Sequence, residues 1–524
     1  MITAIEIRIR ICQILLAAVL VVTATVVAAQ TRNVPVKGFE ADSIERANSG
    51  NKKFHSAIRP LSADADTSSK YALQTVGGKS RWMLEPLTEY AIGMQSEYNS
   101  NYYSAMLGAS GTYSCRQKLT LSLSVYGGYL SPLGTMAALA DSLGRFPQMD
   151  EYGEMGTGKY IAMGAEFYVS YRPAQYLRLT AGKGKKFVGD GYRSVILSAS
   201  NSGMYYFDTE VEVGNFKYLF SVNGGRNFDN GVSATEATTK KVEPTTTDGW
   251  TMRTAYMINH VFSYNPAKWL NIGGYETVMM IRRDSTNRTR MPDLHYMNPM
   301  LFFRPLEFSL GSPDNALMGA FGKITINKYL VGYAQFMLDD FNFKEIKEHN
   351  DTWNNKYAIQ LGAKGYAGGF SYLLEYNYIR PYIYSHDRPI NSYTMYGQPL
   401  AHPYGANMKE AVVNLKYKMV KFDFDLLIDY VSRGVDFDMY SYGNNVLRPY
   451  TSRHHSTGNV VGQGVSYKTM LASLDVRWRP DALRNFCVFA RLGVQRIIKK
   501  NVDLDNTFAM IGIKTSKLFV DRSL

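Results

Sequence analysis

The sequence predicts one large antiparallel β-barrel of the kind that spans a bacterial outer membrane. Three observations predict this fold class. Stretches in which apolar and polar residues alternate recur along most of the chain. Short proline turns bracketed by aromatic residues join such stretches. Longer polar segments separate them on the opposite side, which is the loop asymmetry of an outer-membrane barrel.

The alternation is clearest in four stretches, at residues 119–125, 165–171, 412–430 and 470–478. Successive side chains on a strand point to opposite faces, so this pattern gives one apolar and one polar face. We find no comparable run of apolar residues at helical spacing. A mean hydropathy of −0.22 also excludes a bundle of apolar membrane helices. The chain is therefore predicted to be mostly β.

The turns and the loops differ in length and composition. Residues 171–177 (YRPAQYL), 264–270 (YNPAKWL) and 478–483 (WRPDAL) each place a proline between aromatic or apolar residues. Proline fixes φ for a tight turn, and the aromatics fit a girdle at the lipid interface. The long polar segments are 227–248, 340–355 and 434–464.

The composition fits a single barrel better than several soluble domains. Only 20% of the 524 residues are charged, whereas 13% are aromatic, with 39 tyrosines. Roughly 440 residues, at roughly 25 per strand and connection, give about 16–18 strands. Lipid cannot satisfy an open sheet edge, so the sheet must close. A propeller or a large sandwich is the soluble alternative, but no blade-length repeat supports it.

The N-terminus predicts export. Arg8 and Arg10 precede an apolar run at residues 11–27, and small residues follow, so residues 1–29 are predicted to be a signal peptide. An uncleaved membrane anchor is the alternative. Residues 30–81 are polar and are interpreted as a periplasmic lead segment, and residues 82–524 as the barrel. We therefore expect the protein in the cell outer membrane.

The cysteine count and the net charge limit the chemistry. Three cysteines exclude a disulfide-stapled scaffold and a cysteine-rich metal cluster. Cleavage of the signal peptide leaves Cys115 and Cys487, and the sequence does not decide whether they pair. We predict no cofactor. The net charge of +13 is interpreted as attraction to lipopolysaccharide phosphates or an acidic polysaccharide, with no nucleic acid partner.

Residues 182–194 interrupt the alternation and are the first candidate for function. This segment carries Lys183, Lys185, Lys186 and Arg193 among exposed glycines. Neither the P-loop spacing nor the dinucleotide fingerprint is present. The four cations could bind carboxylate or phosphate groups on a polymer. Salt bridges to acidic residues in the barrel lumen are the alternative.

Two further segments also break the pattern. Prolines in residues 298–315 exclude a fully paired central strand, so this segment is predicted to bend, bulge or fold inward as a constriction. Its Arg304 is a binding candidate, with pairing to Glu307 as the alternative. In residues 380–386 and 400–407, aromatic neighbours make Tyr382, His386 and His402 candidates for stacking on sugars. Their spacing fits no tight metal site.

These segments resemble one family. Residues 182–198 (GKGKKFVGDGYRSVILS), residues 298–315 (NPMLFFRPLEFSLGSPDN) and the pair 380–386 and 400–407 are similar to blocks of the Wzi-type capsule-assembly barrels and the related RemB-like gliding-motility proteins. The resemblance implies an 18-stranded outer-membrane barrel with a largely occluded lumen and no enzymatic activity. It also implies a role in attaching or assembling a surface polysaccharide.

The sequence thus gives a first hypothesis and three alternatives. The first is a capsule-related barrel that contacts outer-membrane lipid, lipopolysaccharide and an acidic surface polysaccharide. The second is an accessory protein of gliding motility or adhesin secretion, with proteins of that machinery as partners. The third is a passive porin. A hydrolase is the last, and neither a Gly-x-Ser-x-Gly nor a His-Glu-x-x-His motif supports it.

Overall fold

The protein is a closed antiparallel β-barrel, and 18 strands among its described residues form the wall. The computed structural model describes residues 32–33, 39–63, 73–77, 80–97, 101–115, 118–132, 149–154, 159–229, 251–281, 294–297, 314–341, 347, 351–480, 486–500 and 502–515. This architecture confirms the predicted fold class. The predicted signal peptide lies outside the described residues.

The elements follow one another in a simple order. The first are β1 (Arg32–Asn33), α1 (Phe39–Ala47), β2 (Ile58–Arg59), β3 (Ser62–Ala63) and β4 (Leu73–Gly77). The first half of the wall region holds β5 (Ser80–Gln95), β6 (Asn101–Cys115), β7 (Leu119–Ser131), β8 (Glu151–Glu154), β9 (Tyr160–Ala174), β10 (Leu177–Gly184), β11 (Phe187–Val188), β12 (Met204–Val213), β13 (Phe216–Asp229), β14 (Thr251–Ala267) and β15 (Leu270–Ile281).

The second half continues in the same way. It holds β16 (Asn315–Asn327), β17 (Leu330–Leu338), β18 (Tyr357–Ala367), β19 (Phe370–Ile379), β20 (Thr394–Met395), β21 (Gln398–Pro399), β22 (Met408–Lys418), β23 (Phe422–Val435), β24 (Val465–Trp478), β25 (Phe486–Lys499) and β26 (Val502–Thr515). Short 3₁₀ helices lie at Leu294–Met297, Pro389–Asn391 and Tyr450–Ser452. No helix among the described residues is long and apolar enough to cross a membrane.

Pairing between the first and last wall strands closes the barrel. Residues Phe508 to Lys514 of β26 pair antiparallel with Glu89 to Gln95 of β5. Strand β7 pairs directly with β9, and β8 lies beside β9 beyond the end of β10. Strand β4 forms a hairpin with the first part of β5. Closure leaves no wall edge unpaired, as a sheet surrounded by lipid requires.

Strand β23 shows how the alternation builds the wall. Phe422 and Ile428 point outward and keep 40% and 43% of their surface exposed. Asp429, one position on from Ile428, is only 2% exposed and contacts the residues that fill the lumen. The outer face is therefore apolar, as lipid demands, while polar side chains face inward. The strand prediction for residues 412–430 is confirmed at 412–418 and 422–430, while 419–421 form the turn between β22 and β23.

The two ends of the barrel differ. The predicted turns at 171–177 and 264–270 lie at the end where the described hairpin connections are short, which we call the short-turn end. The turn residues are 175–176 and 268–269, whereas Pro173 and Pro266 lie near the ends of β9 and β14. Residues 434–464, and the described residues 340–341, 347 and 351–355 of another predicted loop, lie at the opposite end, which we call the long-loop end. Residues 230–248, from the third predicted loop, and 481–483, from the third predicted turn, lie outside the described residues.

Three chain segments fill the lumen, and we call them the plug: residues 39–63, 185–203 and 380–407. They are bonded to one another by the backbone. Strand β2 pairs with β11, the Gly189 amide donates to the Ala57 carbonyl at 2.7 Å, and the Ser198 amide donates to the Leu400 carbonyl at 2.7 Å. The lumen is therefore largely occluded.

An apolar core joins the plug to the wall strands β13–β19. Val195 and Leu197 of the plug belong to the same buried cluster as Met257, Leu317 and Met337 of the wall. Burying one such side chain contributes about 1.5–3 kcal/mol relative to leaving it in water. The plug therefore packs against the wall through a continuous hydrophobic core.

Helix α1 lies at the short-turn end. Ala41 and Glu45, four residues apart, share its buried face. Arg46 donates to the carbonyl of Gly368 at 2.8 Å, and Asp42 lies 2.6 Å from Lys416. These contacts place residues 39–47 across the mouth of the barrel, against the turn between β18 and β19 and the end of β22.

Candidate functional site

Arg193 is the centre of a buried network in the lumen. It is 1% exposed, and its Nε donates to Glu410 Oε1 at 3.1 Å while a terminal nitrogen donates to Asp429 Oδ2 at 3.2 Å. The backbone amides of Arg193 and Tyr192 both donate to the carboxylate of Glu375, at 3.0 and 2.7 Å. Three carboxylates from the wall therefore hold this residue of the plug: Glu410 and Asp429 bind its guanidinium, and Glu375 binds its backbone amide.

His402 reaches the same network from another plug segment. Its Nε2 lies 2.7 Å from Glu410 Oε2, and both side chains are fully buried. Asn377 donates to that oxygen at 2.7 Å and to Glu375 at 3.0 Å. The fold thus brings together two residues that the sequence named separately, Arg193 and His402, and Glu410 links them.

A second buried network ties the N-terminal segment to the wall. Lys364 lies 2.6 Å from Glu45 and 3.5 Å from Asp190, and Lys323 also lies 3.5 Å from Asp190. Arg59 binds Glu45 at 3.1 Å. Burial alone would raise the pKa of Asp190, but the two lysines hold that pKa below its ordinary value. The carboxylate therefore stays charged, and it holds residues 185–203 to the wall.

The three lysines of the first candidate segment occupy different surroundings. Lys183 forms an ion pair of 2.6 Å with Asp150, and Lys186 forms one of 2.5 Å with Asp208. Both lysines are buried, and burial lowers the pKa of Lys186. Lys185 is half-buried, and its side chain makes no ion pair or hydrogen bond within the described part of the chain.

The other candidates lie nearer the long-loop end. Tyr382 is buried, and its hydroxyl donates to the carbonyl of Ser441 at 2.9 Å. His386 is half-buried and is hydrogen-bonded to Asp387. Burial alone would raise the pKa of Asp387, but His386 keeps that pKa below its ordinary value. Arg304 and the rest of residues 298–313 lie outside the described residues.

Accessibility separates these candidates. Lys183, Lys186, Arg193, Tyr382 and His402 are each at most 9% exposed, and the two lysines and the arginine are each paired with a carboxylate. A polymer in solution could not reach them without moving the plug. Lys185 and His386 keep part of their surface open. Lys186, Arg193 and His402 pair with carboxylates of wall strands and so connect the plug to the wall.

An exposed aromatic surface lies at the long-loop end. We call it the aromatic platform, and it consists of the exposed Phe437, Tyr440, His454 and His455, the half-buried Trp353 and Tyr450, and the buried Tyr442. One part of it is built around Trp353, whose ring lies 4.7 Å from that of Tyr450. The Arg453 guanidinium lies 4.4 Å from the Trp353 ring, and Lys356 Nζ lies 4.2 Å from the Tyr450 ring. Cations over aromatic faces fix the rings in place.

The second part of the platform is more open. Phe437 and Tyr440 are 59% and 43% exposed. His454 is exposed, stacks on Tyr442 at 5.1 Å, and meets the edge of Tyr440 at 5.1 Å. His455 lies beside it, with the two rings 3.9 Å apart. These side chains present several ring faces and imidazole nitrogens to the solvent outside the barrel.

Hydrogen bonds hold the loop that carries the platform. Arg448 donates to the carbonyls of Tyr440 and Asp438, at 2.5 and 2.8 Å. The Tyr442 amide donates to Asp436 at 2.6 Å. Burial raises the pKa of Asp436, although this bond and Arg448 oppose the rise. The loop is ordered before any ligand binds, so binding would cost little conformational entropy.

The platform can bind the apolar face of a sugar ring. Exposed aromatic rings stack on C–H faces, and the neighbouring histidine, arginine and aspartate side chains supply the hydrogen-bond donors and acceptors that hydroxyls need. Arg453 and the two histidines could also meet a sugar carboxylate. The sequence had marked residues 434–464 only as a long polar loop. The density of Tyr, Phe and His within it is the signal that could have found this surface.

No three His, Cys, Asp or Glu side chains converge on a metal-sized site within the described ranges. Cys115 is half-buried, Cys487 is buried, and neither forms a disulfide. Cys487 donates to the carbonyl of Lys514 at 3.5 Å. The sequence left open whether Cys115 and Cys487 pair, and in this structure they do not.

Comparison with known proteins gives a likeness of fold. No protein-family model and no curated protein matches the chain. Among solved structures, the barrel is similar to Wzi of Escherichia coli, an outer-membrane protein described as a carbohydrate-binding β-barrel involved in group 1 capsule assembly. The TM-score is 0.50 at 13% sequence identity, over 83% of this chain and 85% of Wzi. The likeness is one of fold alone.

Two other outer-membrane proteins are less similar. OprD of Pseudomonas aeruginosa has a TM-score of 0.40 and 10% identity, covering 82% of this chain and 94% of its own. OccAB4 of Acinetobacter baumannii has a TM-score of 0.42 and 11% identity, covering 84% and 98%. At these TM-scores, the similarity to OprD and OccAB4 supports no conclusion about this protein.

Proposed function

We propose that the protein is a non-enzymatic outer-membrane barrel that binds an acidic surface polysaccharide, and so attaches the polymer or helps to assemble it at the cell surface. The observation that carries this proposal is the aromatic platform at the long-loop end, where Tyr440 and His454 are exposed on an ordered loop. In outer-membrane barrels, the long loops face outward and the short turns face the periplasm. The platform would then lie on the outside of the cell.

The filled lumen supports a surface role. The plug occupies the interior and is bonded to the wall through buried ion pairs such as Arg193 with Glu410. A substrate would therefore meet the outer end of the barrel and not its interior. The fold likeness to Wzi, a carbohydrate-binding β-barrel involved in capsule assembly, agrees with this reading and contributes a lesser share of the argument.

Removing exposed rings from the platform is expected to weaken polysaccharide binding. A double variant, Tyr440→Ala with His454→Ala, should bind surface polysaccharide extracted from the producing bacterium at least about tenfold more weakly, since a tenfold change corresponds to about 1.4 kcal/mol. Each lost ring removes a stacking interaction whose free energy is of similar size. Binding can be measured by biolayer interferometry with the full-length protein in detergent micelles.

A matched control lies at the other end of the barrel. Tyr176 is 58% exposed at the short-turn end, so Tyr176→Ala removes a similar exposed ring without touching the platform. It should bind as the wild type does. In cells, deletion of the gene should release polymer into the medium. Unchanged retention of the polymer, or equal losses in Tyr176→Ala and in the platform variant, would contradict the proposal.

A passive porin is the alternative that the lumen argues against. A porin keeps a water-filled interior, whereas here the plug and the wall share one packed core. Planar bilayer recordings on the reconstituted protein should therefore show almost no steady current. An open-channel current as large as that of a barrel with an empty lumen would favour the porin reading.

A role in gliding motility or adhesin secretion is the remaining alternative. Such a protein would form a stable complex with other envelope proteins and would not need to retain a polymer. The same platform variants separate the two readings, because an accessory protein should keep its partners in a detergent pull-down when Tyr440 and His454 are replaced. A wild-type protein that retains envelope partners and binds no polymer would support this alternative.

A further inference from the structure

Exposed lysines mark the turns at the short-turn end. Lys118 lies between β6 and β7, Lys268 between β14 and β15, Lys328 between β16 and β17, and Lys418 at the end of β22. All four side chains are exposed. None of them forms an ion pair with a carboxylate in the described part of the chain. The four lysines thus lie at the rim of one barrel mouth, and Lys418 stands opposite Asp423 across the β22–β23 pair.

Aromatic residues adjoin these lysines and indicate their depth. Trp269 and Tyr329 directly follow Lys268 and Lys328, and they are 54% and 52% exposed. Tyr417, beside Lys418, is 46% exposed. Exposed tyrosine and tryptophan rings on a barrel wall lie at the level of the lipid headgroups. The lysines next to them must lie at the same level or just beyond it.

Most of the short turns carry no acidic residue, and the sequence places one, Asp481, in the turn between β24 and β25. Among the described turn residues there is no Asp or Glu; these residues are 118, 172–176, 214–215, 267–269, 328–329, 368–369, 419–421 and 479–480. Several of these turns also carry an arginine or a further lysine, as at Arg172 and Lys421. Lys328 Nζ lies 4.9 Å from the ring of Tyr329, which holds the ammonium beside the lipid-facing wall. The rim is therefore a basic ring set against the aromatic girdle.

We propose that this ring binds the phosphates of anionic phospholipids in the periplasmic leaflet of the outer membrane. An ammonium at headgroup level meets phosphate oxygens, and a lipid with net negative charge is favoured over a zwitterionic one because no second cation competes for them. Lipopolysaccharide occupies the other leaflet. The proposal rests on the orientation of the barrel and not on polysaccharide binding.

The geometry also disfavours a soluble acidic protein as the occupant. A protein in the periplasm would approach the mouth along the barrel axis, where α1 and the turn of Gly368 lie. The lysines instead stand beside rings that face the lipid around the wall. Their spread over turns from Lys118 to Lys418 suits many small ligands around a perimeter better than one flat partner.

The test compares lipid retention by the full chain. Wild-type protein, reconstituted in an equimolar mixture of phosphatidylglycerol and phosphatidylcholine, is released from the bilayer, and the lipids that stay bound are counted by native mass spectrometry. We expect severalfold enrichment of phosphatidylglycerol. A variant with Lys118, Lys268, Lys328 and Lys418 all replaced by Gln should retain the two lipids in nearly equal amounts.

A charge-matched variant provides the control. Lys409, Lys468, Lys499 and Lys500 are exposed at the long-loop end, and their replacement by Gln removes the same net charge. This variant should keep the wild-type enrichment. Equal loss in both variants would show a general charge effect and overturn the proposal, as would a wild-type protein without enrichment. Gel migration before and after heating confirms that each variant forms the barrel.

Discussion

Replacing Arg193 with methionine is expected to destabilise the protein by about 3–5 kcal/mol, the largest stability effect that the described contacts indicate. The guanidinium is fully buried and faces Glu410 and Asp429, which are themselves 0% and 2% exposed. Methionine fills most of the volume but leaves these carboxylates buried without their cation. An uncompensated buried charge costs more than the ion pair contributes.

The loss should appear first as release of the plug. The backbone amides of Arg193 and Tyr192 donate to Glu375, so displacement of residue 193 also removes two of the hydrogen bonds to that carboxylate. Limited proteolysis of the folded barrel should cut within residues 185–203 in Arg193→Met and spare them in the wild type. Urea titration of the detergent-solubilised protein gives the change in the free energy of unfolding.

Two further variants test whether the loss of stability comes from the buried charges and not from the loss of any ion pair. Arg496 pairs with Asp503 in the open, with 49% and 51% of the side chains exposed, so Arg496→Gln should leave stability unchanged. Combining Arg193→Met with Glu410→Gln and Asp429→Asn removes the stranded charges and should recover at least half of the loss. A triple variant as unstable as Arg193→Met alone would show that charge does not hold the plug.

The wall of this barrel could be predicted because the direction of each side chain depends only on its neighbours along the strand. Whether Phe422 faces lipid and Asp423 faces the lumen follows from neighbouring residues and the period of a strand. The lumen is different. Arg193 and His402 were identified as unusual from their local segments, yet their common partner Glu410 lies in an ordinary strand. Only closure of the barrel brings β22 to the plug, and no local pattern contains that information.

The sequence did not predict the aromatic platform, and the reason is different. Residues 434–464 were recognised as a loop, and the strand pattern has nothing to say about a loop. Trp353 and Tyr450 belong to different loops, one between β17 and β18 and the other between β23 and β24, and they meet because both loops lie at the same end of the closed barrel. The basic excess was likewise attributed to an outer polymer, whereas Lys268 and Lys328 place part of it at the opposite mouth. Short turns converge on one rim only in the closed barrel.

Replacing Gly443 with alanine is expected to reduce polysaccharide binding by about tenfold or more, although this residue presents no side chain to a ligand. Gly443 has φ of +83° and joins the platform loop to the plug, where the Tyr382 amide donates to its carbonyl at 3.1 Å. A Cβ at this position would lie 2.5 Å from the Tyr382 nitrogen and 2.7 Å from Pro381 Cβ. Backbone must move to admit it, and the platform residues on either side move with it.

A second glycine in the same loop isolates this steric cause. Gly458 has φ of +71°, and a Cβ there meets no atom within 4 Å. Both alanine variants therefore carry the strain of a left-handed backbone, about 1–2 kcal/mol, but only Gly443→Ala also collides with the plug. In binding assays, Gly458→Ala should have nearly the polysaccharide affinity of the wild type, whereas the affinity of Gly443→Ala should be far lower. Equal binding by both would mean that the platform is positioned by its own loop, without support from Tyr382 and the plug.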